Sequence, residues 1–356
     1  MKKIVLLGLM VVLMFSLLAG CGSTDTTSST DVSSTPAVDS NGPDTITIAW
    51  LPNNSGDNEK DLRSEIDKVI SDATGKKVED KLTTDYNIAM AALESGDAQL
   101  GYFGPYEYLV SSAKDPKIVP LVVESGDSGT LKDALYYSRL VVKKGNENQY
   151  KSGKGFSLDK IAGKKISFVS TSSTSGFNMP ATAILGYFNK QDKWKNLVKD
   201  DLMQGGSGKF FSQVVFSGSH PLSLANLLKD KVDICAVDDV DVSQYLELTS
   251  GKDNQEGAVY TVKKGADAPF ADLVGKQFVV IKSIPVQNTP LEANSSVLSQ
   301  ETLDAITNAL IADSTTKDEK IFAPKGSDGS LFVQPHCFLK VDSSWYDDMR
   351  KVLGVG

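Results

Sequence analysis

SFVSTSSTSGFNMPATAIL, residues 167–185, runs from an apolar stretch through six consecutive hydroxyl side chains into small residues with helical spacing. The six are Ser170, Thr171, Ser172, Ser173, Thr174 and Ser175. Residues 165–169 read as a strand and 179–188 as a helix, so the segment is a strand–loop–helix unit. Its amides and hydroxyls then lie at a helix N-terminus, where unpaired N–H groups and the macrodipole favour an anion. One Ser or Thr is enough to cap a helix; six exceed that need. Gly176 permits close approach of the backbone.

The same order recurs along the chain. Strand patterns at 45–50, 99–103, 136–142, 213–216, 232–237 and 277–282 alternate with helical patterns at 61–74, 87–93, 222–228, 300–312 and 344–353. Such alternation predicts an α/β fold, each sheet mostly parallel and flanked by helices. A single sheet would have to use every strand, so two lobes facing across a cleft are expected. Ligands of open α/β sheets bind beyond the carboxyl ends of their strands.

The beginning of the chain indicates an extracytoplasmic setting. Lys2 and Lys3 precede an apolar run at 4–18, and Leu18-Ala19-Gly20-Cys21 closes it with small residues before a cysteine. This reads as a secretory signal peptide, too short to span a bilayer comfortably. Residues 22–43 hold almost no large apolar side chain and read as a solvated tether. With 37 basic and 45 acidic residues the net charge is −8, which makes nucleic acid an unsuitable partner. Besides Cys21 only Cys235 and Cys337 occur, and they are read either as a pair or as free buried thiols.

Two further segments place polar groups directly after a strand. Phe216-Ser217-Gly218-Ser219-His220-Pro221 contains one of only two histidines, the other being His336. Val237-Asp238-Asp239-Val240-Asp241 sets three acids after an apolar run; acids there also serve simply as helix caps. Tyr86 precedes a helix and Tyr136 opens a strand. No G-x-S-x-G, H-E-x-x-H or P-loop pattern is present, and two histidines support neither a metal centre nor a Ser–His relay. An enzyme, a metal site and a cofactor are therefore not expected.

In order, TTDYNIAMAALESGDAQLGYFGP (83–105), YYSRLVV (136–142), STSGFNMP (173–180) and SGSHPLSLANLLKDKVDICAVDD (217–239) resemble the phosphonate/phosphite/phosphate-binding proteins of bacterial ABC importers. These belong to the two-lobed type II periplasmic-binding-protein fold. The resemblance implies that Ser173, Thr174 and Ser175 hold phosphoryl-type oxygens, that His220 donates from the facing loop, and that Tyr86 and Tyr136 reach in from the other lobe. It implies an acid for an amine-bearing ligand at Asp241, with Asp238 and Asp239 as alternatives in register. Leu18–Cys21 resembles a lipobox, which implies a lipid on Cys21. Some relatives carry a proton-accepting acid soon after the return to the first lobe; residues 284–289 here contain none.

The expected organisation is a signal peptide at 1–20, a lipid-anchored tether at 21–43, lobe 1 at 44–140, lobe 2 at 141–240 and completion of lobe 1 at 241–356. The implied function is a monomeric receptor on the outer face of the cell membrane. It captures a small anion and passes it to ABC permease and ATPase subunits. An amino acid or other small carboxylate is the alternative ligand, and an adhesin or scaffold retaining the fold is the alternative role.

Overall fold

The computed structural model describes residues 42–54, 56, 59–325, 327 and 331–356. The expected signal peptide, the Cys21 anchor and nearly all of the tether lie outside the described residues. Among those described, no helix is long and apolar enough to cross a membrane.

Two sheets carry the fold. The first has the strand order Phe338–Lys340, Ile118–Glu124, Pro290–Asn294, Leu100–Tyr102, Thr45–Trp50, Lys77–Leu82. Along Thr45–Trp50 the alternation read from the sequence sorts side chains to two faces. Ile46, Ile48 and Trp50 join Leu62, Ile66 and Ile70 of helix Lys60–Thr74 and Leu303, Ile306 and Leu310 of helix Gln300–Leu310. Ala49 turns the other way, toward Tyr86, Ala89 and Leu93 of helix Tyr86–Ser95. Each large apolar side chain so buried contributes about 1.5–3 kcal/mol, so the core faces fix the strand register.

The second sheet has the order Leu246–Ser250, Val259–Val262, Gln277–Gln287, Leu135–Lys143, Ile234–Asp238, Lys165–Phe168, Gln213–Phe216. In Ile234–Asp238, Ile234 and Ala236 face one core, while Cys235 and Val237 face the other. Cys235 is buried there and Cys337 is half-buried beside Ser125; both are free thiols.

Two expectations are corrected. The sheets are mixed rather than mostly parallel: Thr45–Trp50 is parallel to both neighbours and Lys165–Phe168 to both of its own, and the remaining pairs are antiparallel. The chain crosses between the sheets after Glu124 and returns only after Gln287, so each crossing strand enters its new sheet antiparallel. The second sheet thus takes strands from 135–287, not 141–240, because Leu246–Ser250 and Val259–Val262 extend its edge instead of leading back.

The two crossings run side by side. Asn288 N donates to Ala134 O (3.0 Å), Asn288 Nδ2 to Glu124 O (2.8 Å), and Tyr346 Oη to Asn288 O (2.6 Å). Glu124 and Asn288 of this pair line a polar cavity.

Candidate functional site

The hydroxyl loop leaves strand Lys165–Phe168 and enters a wide turn, Thr174–Asn178, before helix Met179–Phe188. Ser173 Oγ caps it by accepting Gly176 N–H (3.1 Å). Ser173, Thr174 and Ser175 are 2%, 1% and 3% exposed, although their surroundings are a cavity and not a core. Each hydroxyl has a protein partner, Ser173 with Gly176 N, Thr174 with Glu107 and Ser175 with His220, and all three line the cavity, which makes the row a candidate site and not a solvated turn.

His220 is the first residue of helix His220–Leu228, after the Ser219 cap. Its Nδ1 accepts Asp238 N–H (2.9 Å), which places the ring proton on Nε2. Nε2 lies 3.4 Å from Ser175 Oγ and 3.3 Å from Asp238 Oδ2. Burial, aided by the Arg139 guanidinium, pushes the imidazole down to about 3. His220 is therefore a neutral N–H donor, not a cation.

From the first sheet, Tyr86 Oη accepts Asn53 Nδ2–H (2.8 Å), and Asn53 Oδ1 accepts His220 N–H (3.1 Å), joining elements of both sheets. Tyr136 lines the same cavity. Asp241 N–H donates to Asp238 Oδ1 (3.1 Å), and Asn54 Nδ2 approaches Asp241 Oδ1 (3.4 Å). Burial raises Asp241 to about 6, and burial with Asp241 as neighbour raises Asp238 well above the carboxylate range. Asp239 points away, accepting from Tyr137 N (2.7 Å) and Asn254 Nδ2 (2.7 Å). Of the three acids left open in register, Asp238 and Asp241 line the cavity and Asp239 does not.

All seven ligand-binding residues expected from the sequence, Tyr86, Tyr136, Ser173, Thr174, Ser175, His220 and Asp241, meet at this one cavity. Sequence reasoning missed Asn53, Asn54, Glu107 and Glu124. Glu107 is the third residue of helix Pro105–Lys114, where an acid ordinarily serves the helix dipole, so its sequence position hides its destination. Instead Thr174 Oγ1 donates to Glu107 Oε2 (2.5 Å) across the cleft.

No Lys or Arg is among the described residues that line the cavity. The lining offers neutral hydroxyl and imidazole donors with carboxyl groups beside them, Glu107 against Thr174 and Asp238 against His220. His220, Asp238 and Asp241 bring potential cation-ligating atoms within 4.8 Å of one another. The same spacing suits an ammonium group.

His336 lies outside the cavity, bridging Glu124 (2.9 Å) and Asp127 (3.1 Å) at the first crossing. The bond to Glu124 raises its pKa. Its stabilising effect is complete below its ordinary value of 6.5 and is lost as pH rises through the higher folded value. His336→Gln should lower the melting temperature at about pH 6 and leave it almost unchanged at about pH 9, with ligand affinity within roughly twofold of wild type. Equal destabilisation at both pH values would contradict the pairing.

Two sheets with a polar site in the cleft between them define a periplasmic-type binding protein. A binding protein component of an ABC phosphonate transporter from Pseudomonas aeruginosa superposes with a TM-score of 0.62 at 16% identity, covering 88% of this chain and 86% of that one. PhnD1 of Prochlorococcus marinus, solved in complex with methylphosphonate, gives 0.58 at 16% identity over 87% and 97%. The model of the ABC transporter, phosphonate, periplasmic substrate-binding protein family matches residues 48–336, and the chain belongs to that family. It is also 30% identical over 193 residues to the phosphate-import protein PhnD of Mycolicibacterium smegmatis. That match takes in 52% of this chain and 53% of the relative, so the chain spans about half the length of the curated relative it matches.

Proposed function

We propose that this protein is the receptor of an ABC importer, holding a small phosphonate-, phosphite- or phosphate-type oxyanion between its lobes and handing it to a membrane permease. Ser173, Thr174, Ser175 and the Nε2–H of His220 grip the oxygens, and Tyr86 and Tyr136 close over them. The burial of that hydroxyl row against a neutral histidine donor carries the reading. The carboxyl groups add a requirement. With no lysine or arginine in the described lining, a bare dianion would be stranded in low dielectric beside carboxyl groups. The ligand therefore brings a proton or a cationic group, the latter meeting Asp238 and Asp241; an amine-bearing phosphonate suits both the donors and the acids, and an amino acid is the second reading these acids favour.

Delivery to a permease requires tethering outside the membrane, and a lipid on Cys21 followed by the polar segment 22–43 supplies it. A lone chain acts as the receptor.

Calorimetric titration with phosphate, phosphite, methylphosphonate, 2-aminoethylphosphonate and a set of amino acids tests the ligand class. Saturable micromolar binding, near −8 kcal/mol, is expected for at least one phosphorus oxyanion, with a rise in melting temperature by mass action. Binding of amino acids alone would replace the first reading by the second, and no binding at all would favour a scaffold.

A further inference from the structure

Glu107, the carboxyl group least evident in the sequence, determines what Thr174 can offer a ligand. Thr174 Oγ1 accepts Tyr106 N–H (2.8 Å) and lies 2.5 Å from Glu107 Oε2. A hydroxyl has one proton and two lone pairs, and an ionised carboxylate can only accept. With Glu107 ionised, the Thr174 proton is committed to it. What Thr174 then turns to the cavity is a lone pair, which repels an oxyanion. With Glu107 protonated, the Glu107 O–H donates to Thr174 Oγ1, both lone pairs are occupied, and the Thr174 proton is released toward the cavity. Only the second state makes Thr174 a donor.

We infer that Glu107 is a specificity-determining proton carrier: the protein takes up one proton at Glu107 when it binds a phosphorus oxyanion, and the proton passes Thr174 from acceptor to donor. The inference rests on the oxyanion reading above. It deepens that reading by explaining how a site without a lining lysine or arginine admits a further negative charge.

Independent features surround the pair. A Cβ at Gly104 would fall 2.5 Å from Thr174 Oγ1 and 2.7 Å from Glu107 Oε2, so the contact exists only because residue 104 lacks a side chain. The groups that face Glu107 are acidic or phenolic: Asp241 across the cavity, Glu292 from the sheet beneath, and Tyr86 and Tyr136. Glu292 is fully buried with neither carboxyl oxygen hydrogen-bonded, and burial holds it protonated. Burial first, opposed by the Thr174 and backbone hydrogen bonds, lifts Glu107 to about 7.

The test is calorimetric titration of the full chain with inorganic phosphate and with methylphosphonate, in buffers of differing ionisation heat, at about pH 6 and about pH 8.5. Wild type is compared with Glu107→Gln, whose amide N–H donates to Thr174 at any pH. The ligand's own ionisation is common to both proteins and cancels in the difference. At about pH 8.5 the wild type should absorb roughly one proton more per ligand than Glu107→Gln, and its affinity relative to the variant should fall about tenfold per pH unit above 7. Equal proton uptake by the two proteins, with binding intact, overturns this inference and leaves the oxyanion reading standing. Absence of binding by either protein at either pH removes the oxyanion reading and this inference together. Should Glu107→Gln not fold, infrared difference spectra of the wild type decide: a protonated-carboxyl band must grow when phosphate is added at about pH 8.5, and an unchanged band overturns the inference.

Discussion

His220→Ala is expected to weaken oxyanion binding by roughly 10- to 100-fold, the loss of one strong hydrogen bond worth about 1.5–3 kcal/mol. Two effects combine. The Nε2–H that faces Ser175 and the cavity disappears, and Asp238 N–H, which Nδ1 accepts at 2.9 Å, is left buried without its partner. The carboxyl groups of the site are thereby disturbed along with the donors. Because the imidazole is held neutral down to about 3, its contribution should not titrate between about pH 5 and 7. A cationic histidine would instead lose affinity as pH rose through its ordinary range. The ratio of wild-type to His220→Ala affinity, in which the titrations of Asp241 and Glu107 cancel, separates the two modes when compared at about pH 5 and 7, and unchanged affinity in His220→Ala would show that the oxyanion is held elsewhere.

What the sequence disclosed and what it hid have physical causes. Helix Met179–Phe188 and strand Gln213–Phe216 have the bounds read from pattern alone: a hydroxyl-rich loop precedes the helix and a polar run from Asn189 follows it, while Ser- and Gly-containing loops flank the strand. Lys77–Leu82 was not legible: KVEDKL is an edge strand with mostly exposed side chains, so its pairing owes more to the neighbouring Thr45–Trp50 backbone than to alternation. Pro290–Asn294 is fully buried yet carries Glu292 and Asn294, which break any apolar run. The expected return to the first sheet came too early for a related reason. Leu246–Ser250 is largely exposed and looks like a linker, although it is the outermost strand of the second sheet.

The residues that line the cavity were legible where hydroxyl, imidazole and carboxyl groups are concentrated at strand ends. Residues 284–289 do lack a carboxylate, but the cleft has one all the same, because Glu107 arrives from a helix whose first turn gives no sign of it. Asn53 and Asn54 were hidden in a polar turn after the first strand, and only the apposition of the two sheets brings them to His220 and Asp241. A residue's own segment dictates which way it points; what it meets is a property of the other lobe.

Gly176→Ala should be the most damaging small substitution in the loop. A Cβ there would lie 2.4 Å from both Val169 Cβ and Val169 Cγ2 and 2.8 Å from Ser173 Oγ. Val169 is fully buried and its Cβ is fixed to the backbone at the end of the strand, so it cannot retreat. The strain falls on the loop, which must carry Ser173, Thr174 and Ser175 away from the cavity. Overpacking of this kind costs about 1–3 kcal/mol, and donors displaced by a fraction of an ångström no longer converge on one ligand. The melting temperature should fall, oxyanion affinity should drop at least tenfold, and the ligand should no longer raise the melting temperature. Gly186→Ala, ten residues further along in helix Met179–Phe188, is the matched control. Its Cβ meets nothing within 4 Å, and alanine there should stabilise the helix by roughly 0.5–1 kcal/mol without changing affinity. Wild-type affinity in Gly176→Ala would mean that the close approach of the loop to Val169 does not position the oxyanion donors.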